Sequence, residues 1–291
     1  MLSRAPSPMR NSVSDAAPFG HYAPTGLTAF CARSAGRCST SWLGRRTAFF
    51  LRSVALRALR GRPIDVLALG ARMRLQPQRN VAEKRLAFTP QYFDAPERAL
   101  LARHLRDEFV FLDIGASVGG YSLFAAGLGG ARARILAVEP LPEVFDRLVY
   151  NIRQSEFANV KAVGCAVLDV DGEATLFVNT SNQGETSTRI VSAEAIVEQI
   201  RVPAKALLTL VREEGYRRID AIKLDIEGAE DLALEPFLRD APRELWPRLI
   251  IMEFTLLRSA AALEARLCAL GYREILRTGE NVAYTIPSEA E

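Results

Sequence analysis

The sequence predicts an α/β protein: a mostly parallel β-sheet with helices on both faces and an antiparallel hairpin at its C-terminal end. Three observations predict it. From Phe109 onward, short apolar runs alternate with longer stretches of helical periodicity, the pattern of strand–helix–strand units. The strand-like runs are apolar throughout instead of alternating, so both of their faces need cover. Past residue 270 the pattern changes to two short strand-like segments, 273–277 and 281–286, around Thr278-Gly279-Glu280, which reads as a hairpin.

Taken in order, residues 1–45 stand apart. Residues 1–62 hold ten arginines and one acid, Asp15, among many Ser, Ala and Pro. That composition predicts a disordered N-terminal extension over 1–45, or an organelle transit peptide, which is likewise Arg-rich and acid-poor. Residues 46–106 predict a helix and a small β cap. Within 48–60, Arg52, Arg57 and Arg60 sit among apolar residues at helical spacing. A helix packed on the domain explains this better than one lying on an anionic membrane, because the segment is short. Strand-like pieces follow at 66–69, 72–75 and 85–88, with Pro77 and Pro90 as breaks, and then a helix over 95–106.

Residues 107–291 carry the main domain. Strands are predicted at 110–113, 135–139, 160–165, 174–179, 221–225 and 249–253. Helices are predicted at 120–128, 143–155, 204–214, 229–239 and 259–270. The uncharged run 114–131 is long enough to suggest a membrane span, yet six of its eighteen residues are glycine and Asp113 and Arg132 bracket it. A buried strand, turn and helix explain it, and no transmembrane segment is predicted.

Composition bounds the function. A hydrophobic fraction of 49% in 291 residues supports a sizeable core. A net charge of +3 with no long basic run gives no ground for a nucleic-acid partner. The four cysteines, Cys31, Cys38, Cys165 and Cys268, form no CxxC pair, which fits a reducing, cytoplasmic setting. Self-association into a homo-oligomer is left open.

The chemistry is concentrated at strand ends. Residues 109–120, Phe-Val-Phe-Leu-Asp-Ile-Gly-Ala-Ser-Val-Gly-Gly, form an apolar strand ending in Asp113 and a turn that opens into a helix at Tyr121. Gly115 and Gly119 let a ligand approach bare backbone. A pyrophosphate-binding turn reads G-x-G-x-x-G, which is absent, and Asp113 would repel a pyrophosphate. A carboxylate there suits a cofactor with a cationic amino-acid end. Glu139, at the end of the next strand, is placed to accept hydrogen bonds from two ribose hydroxyls. S-adenosylmethionine has both features and no phosphate.

In residues 222–230, Ile-Lys-Leu-Asp-Ile-Glu-Gly-Ala-Glu, Lys223 and Asp225 share one strand face. A lysine inside an otherwise apolar strand requires a partner. Asp225 sits at a strand's carboxyl end, where doubly wound sheets bind ligands. Glu227 and Glu230 can alternatively serve the first turn of the following helix.

Three ordered motifs, 111–119, Ala137-Val138-Glu139-Pro140 and 222–230, closely resemble those of the FkbM-type methyltransferases. The resemblance runs from about residue 86 to 286 and includes Asn151 and the strand Ile250-Ile251-Met252-Glu253. Ser117 stands where that family commonly has Asn, and its hydroxyl keeps a polar group in the turn. The resemblance implies a Rossmann-like class I methyltransferase fold and S-adenosylmethionine-dependent O-methylation of a hydroxyl on a sugar, glycan or small natural product. Asp113, Gly115, Ser117, Gly119, Tyr121, Glu139 and Pro140 are then the cofactor-binding candidates. Asp169 is a weaker candidate, for the adenine amino group.

Methyl transfer to a hydroxyl needs positioning and a proton acceptor. Asp225 and Glu227 are the candidates for substrate orientation or proton acceptance, with Lys223 anchoring Asp225 or tuning it. Asp225 and Glu253 can present two carboxylates to Mg²⁺, but a hydrogen-bonding role for Glu253 is preferred and no metal site is assigned. His21 and His104 are not placed to act as bases. The polar loop 179–188 suits either a polyol acceptor or solvent. The rival readings are an NAD-dependent oxidoreductase, disfavoured by the turn, and a non-catalytic scaffold of the same fold.

Overall fold

The computed structural model describes residues 17–179, 186–187, 197–254 and 260–287. The helices α1 (Gly26–Gly36) and α2 (Trp42–Leu59) pack on each other and lead into an antiparallel pair, β1 (Ile64–Ala68) and β2 (Ala71–Leu75). Two further helices, α3 (Val81–Phe88) and α4 (Ala95–His104), precede the main sheet. Its first half runs β3 (Val110–Ile114), α5 (Gly120–Gly129), β4 (Arg134–Val138), α6 (Pro142–Ser155) and β5 (Val160–Val163). A second sheet follows, from β6 (Ala166–Leu168), β7 (Gly172–Asn179), β8 (Thr186–Ser187) and β9 (Val197–Ala206). The chain then completes the main sheet through α7 (Leu207–Glu213), β10 (Ala221–Leu224), α8 (Glu230–Asp240), β11 (Leu249–Glu253), α9 (Ala260–Ala269), β12 (Arg273–Arg277) and β13 (Asn281–Thr285).

The seven strands of the main sheet lie in the order β12-β13-β11-β10-β3-β4-β5. Strands β5, β4, β3, β10 and β11 are parallel, and β13 joins β11 antiparallel as half of the C-terminal hairpin. This is the predicted mostly parallel sheet. From β3 the chain winds outward to β4 and β5, then returns to place β10 on the other side of β3. That reversal creates a switch point, with a crevice beyond the carboxyl ends of β3 and β10.

The strands divide the core in two. Phe111, Ile135, Ala221, Leu249 and Ile251 face one helical layer, and Leu112, Leu136, Ile222, Leu224 and Ile250 face the other. The period of two along each strand is what lets a doubly apolar sequence bury both faces.

Four segments depart from the sequence reading. Residues 26–36 form α1 inside the stretch expected to be disordered, because Thr28, Cys31 and Ala35 recur at helical spacing and are buried, and residues 42–45 of that stretch open α2; residues 1–16 lie outside the described residues. The piece 85–88 belongs to α3 instead of a strand. Asn80 starts that helix, its side-chain oxygen accepting from the N–H groups of Ala82 (2.7 Å) and Glu83 (3.2 Å). Residues 204–206 belong to β9, not to the start of a helix, and β9 as a whole went unpredicted. Pro203 within it reads against a strand, yet pairs in register with Glu173 of β7. Most of the polar loop 179–188 lies outside the described residues.

One buried ion pair ties the N-terminal segment to the domain. Arg74 of β2 and Asp65 of β1 are almost fully buried and meet at 2.8 Å. The same guanidinium donates to the carbonyls of Ala17 (2.8 Å) and Pro18 (2.9 Å), while Asp65 accepts from the N–H groups of Gly20 and Tyr22. Burial opposes ionisation of Asp65, but Arg74 and those N–H groups hold its carboxyl below its ordinary value. Arg74→Ala is expected to strand Asp65 as an uncompensated buried charge and cost about 3–5 kcal/mol. Chemical denaturation measures this, and hydrogen exchange over residues 17–22 should rise in parallel.

Candidate active site

Asp113, Ser117, Glu139, Lys223, Asp225 and Glu227 reach the crevice from the end of a strand or from the turn after it. Asp113 sits on β3 in register with Lys223 of β10 on one side and Ala137 of β4 on the other. The turn after β3 is stitched to β4 by the N–H groups of Gly115 and Ala116, which both donate to the Val138 carbonyl at 2.9 Å. Gly115 has φ +82°, and a Cβ there would collide with the Asp225 carbonyl. Glycine is required because the β3 and β10 turns touch backbone to backbone at this point. Asn151, fully buried on α6, braces the far side of the turn. Its Nδ2 donates to the Val118 carbonyl (3.0 Å), and its Oδ1 accepts from Arg74 N–H (2.7 Å).

The cleft so formed has a volume of about 410 Å³. Of the predicted cofactor residues, Asp113, Gly115, Ser117, Tyr121, Glu139 and Pro140 line it. Gly119 instead starts α5 from a left-handed conformation, φ +95°. Asp169 is not brought to the cleft. Because β6 pairs with β9, the chain leaves the cleft after Val167, and Asp169 borders a separate depression with Ala206 and Thr209.

Asp113 is held by Ser122 near the α5 N-terminus, whose N–H (2.9 Å) and hydroxyl (2.6 Å) both donate to Oδ2. Among the described residues no hydrogen bond is directed at Oδ1. Glu139 accepts one backbone N–H on each oxygen, from Ser117 on Oε2 and from Leu141 on Oε1, both at 2.9 Å. Ser117 offers that N–H from a left-handed backbone, φ +49°. Each Glu139 oxygen keeps a lone pair for a further donor. Burial pushes Asp113 up to about 6, although Lys223 and Ser122 pull it back, and pushes Glu139 up to about 7 against the same two backbone N–H groups.

At the β10 end of the cleft, in register with Asp113, Lys223 is 2% exposed and reaches Asp225 at 2.6 Å. Its ammonium also lies 4.8 Å from the centre of the Tyr121 ring. Burial alone would lower the Lys223 value, but Asp225, Asp113 and Asp94 together raise it. The surrounding carboxylates therefore favour the charged ammonium. Tyr121 donates its hydroxyl to Asp94 at 3.2 Å. Glu227 also lines this end, from a left-handed turn residue with φ +54°.

Sequence reasoning did not find Arg85, Asp94 and Glu280. They come from α3, the turn before α4 and the hairpin turn, and meet at the cleft as Arg85 bridges Glu280 (3.2 Å) and Asp94 (3.6 Å). Asp225, Glu227 and Glu253 offer carboxylate oxygens all within 4.8 Å of one another. Three carboxylates without a fixed geometry underdetermine a metal centre. His104 is engaged through Nδ1 with the Leu100 carbonyl (2.9 Å), and neither it nor His21 lines the cleft.

The donor set fits an adenosine-bearing cofactor with a cationic end. A diol can be accepted by Glu139 and an ammonium by Asp113, whereas a pyrophosphate would face Asp113 and Asp225. This defines a Rossmann-like enzyme with its cleft at the switch point. The model of the methyltransferase FkbM domain matches residues 113–274, more than half of the chain, and the chain belongs to that family. Among curated proteins, the methyltransferase sdnD of Sordaria araneosa is 29% identical over 147 residues, 41% of this chain and 56% of that protein. The chain thus spans little more than half the length of that relative. Among solved structures, a precorrin-6y C5,15-methyltransferase from Geobacter metallireducens overlaps with a TM-score of 0.41 at 16% identity, covering 68% of this chain and 90% of that one. A SAM-dependent O-methyltransferase from Thermotoga maritima gives 0.38 at 12% identity, covering 67% and 66%. Both overlaps are too loose to bear on the chemistry, and the assignment rests on the family match. An oxidoreductase role is set aside with it.

Two outcomes are expected. If both carboxylates must be ionised to hold a cationic nucleoside, affinity for S-adenosylmethionine by calorimetry stays level above neutrality. It then falls as the pH drops through about 7 and about 6. A flat profile across that window contradicts the assignment. Raising the folded-state value of Asp113 above its unfolded one means stability is lost as the pH rises from the ordinary carboxylate value to about 6. Asp113→Asn should therefore stabilise the ligand-free protein by about 1–3 kcal/mol in alkaline solution, while weakening the cofactor about ten-fold or more.

Proposed function

We propose that this methyltransferase uses S-adenosylmethionine to O-methylate a hydroxyl of a sugar, glycan or small natural product. The observation that carries the reading is the convergence of Asp113 and Glu139 with the Lys223–Asp225 pair in one cleft. When bound, the cofactor supplies an electrophilic methyl group. Glu139 holds the ribose hydroxyls, and Asp113, fixed by Ser122, faces the ammonium.

In this reading Asp225 takes the hydroxyl proton at the acceptor end, supported by the Lys223 bond that orients its carboxylate through Oδ2. Glu227 stands beside it as an orienting group. The charge balance supports an uncharged polyol. Asp94, Asp225, Glu227, Glu253 and Glu280 face the cleft against Lys223 and Arg85. That excess of acid repels phosphorylated or carboxylated acceptors and gives hydroxyls many acceptors. Among the described residues no helix is long and apolar enough to cross a membrane. The four unpaired cysteines support a reducing, cytoplasmic setting.

The test is methyl transfer from labelled cofactor to a panel of neutral polyols, with the product bond located by mass spectrometry. Transfer to carbon or nitrogen instead of oxygen sinks the reading. Asp225→Asn should lower kcat roughly 100-fold or more and shift cofactor affinity by less than about three-fold. Equal losses in both would make Asp225 a cofactor residue instead.

A further inference from the structure

We propose that the outward face of the α1–α2 pair is a docking surface for an anionic lipid bilayer, which the protein touches without crossing. Helix α2 turns Ala48, Ala55 and Leu59 inward. Trp42, Leu43, Phe49 and Phe50 stay exposed on it, and α1 adds Leu27 and Phe30. These six are more than half of the large apolar side chains exposed among the described residues. Such side chains are normally scattered singly, and a gathered set marks an interaction surface.

The arrangement on α2 is that of an interfacial helix. Trp42, Arg46 and Phe50 recur every four residues and share a face. The Arg46 guanidinium lies 4.9 Å from the Trp42 ring centre, and that of Arg52 lies 4.5 Å from Phe49. Starting at Trp42, the helix is eighteen residues long, so its outward face is larger than the segment 48–60 suggests by itself.

Charge decides the occupant. Residues 17–62 contain eight arginines and no aspartate or glutamate, while the whole chain nets only +3. A basic face studded with Trp, Phe and Leu complements acidic headgroups above an apolar layer. A symmetric dimer through this face would set the same arginines against one another. The pair also touches the cleft wall. α1 packs on α3, and Gln91 and Tyr92 donate to carbonyls at its C-terminal end and just beyond, Ala35 and Ser39.

The test is co-sedimentation of the full chain with vesicles of phosphatidylcholine alone and of equimolar phosphatidylcholine and phosphatidylglycerol. Binding should be about ten-fold or more stronger to the mixed vesicles and should weaken with salt. Arg46→Glu with Arg57→Glu should reduce it about ten-fold or more, and Trp42→Ala with Phe50→Ala should reduce it as well. Both pairs are exposed and outside the cleft, so cofactor affinity should be unchanged, which separates lost docking from lost folding. Absence of binding to the mixed vesicles overturns the proposal, as does binding indifferent to both variants. A dimer in light scattering that Phe50→Glu dissociates overturns it in favour of a second copy of the chain.

Discussion

Lys223 places a buried ammonium between the carboxyl ends of two parallel strands, with Asp225 bonded to it, Asp113 in register beside it and Asp94 approaching from the turn before α4. Three carboxylates crowded into a partly dry cleft would otherwise repel one another and take up protons. The ammonium offsets that repulsion without filling the cleft, since its own bond is to Asp225 and its flank is covered by the Tyr121 ring. Removing it would leave uncompensated charge where the β3 and β10 ends meet.

The same region stores backbone strain. Ser117 and Glu227 both adopt left-handed conformations without being glycine, and each lies in the turn that ends a strand bordering the crevice. Such conformations persist only where the surroundings over-determine them. Here the Ser117 N–H is aimed at Glu139, and the contact between the Gly115 and Asp225 turns fixes the spacing of the two halves. The fold thus places the Asp113–Glu139 half and the Lys223–Asp225 half of the cleft on opposite sides of one backbone contact.

Much of this was legible in the chain because strand ends announce themselves. An apolar run that reaches Asp113, Glu139 or Asp225 places an acid at or just past the carboxyl end of a strand, and Lys223 inside such a run demands a partner. The mouth of the cleft was not legible. Arg85 and Glu280 are 195 residues apart, and no local pattern foretells that a helix before the sheet meets a hairpin turn after it. Helix α1 was hidden by its composition, since three small buried residues at helical spacing weigh less than arginine, serine and proline around them. Strand β9 was hidden by Pro203, and Asp169 was misplaced because the second sheet it borders was not foreseen.

The most direct measurement is a crystal structure with S-adenosylhomocysteine bound. The account predicts both ribose hydroxyls on Glu139, the amino group at Asp113 and the sulfur turned toward Asp225. A nucleoside seated elsewhere, or one leaving Asp113 and Glu139 without contact, would contradict it.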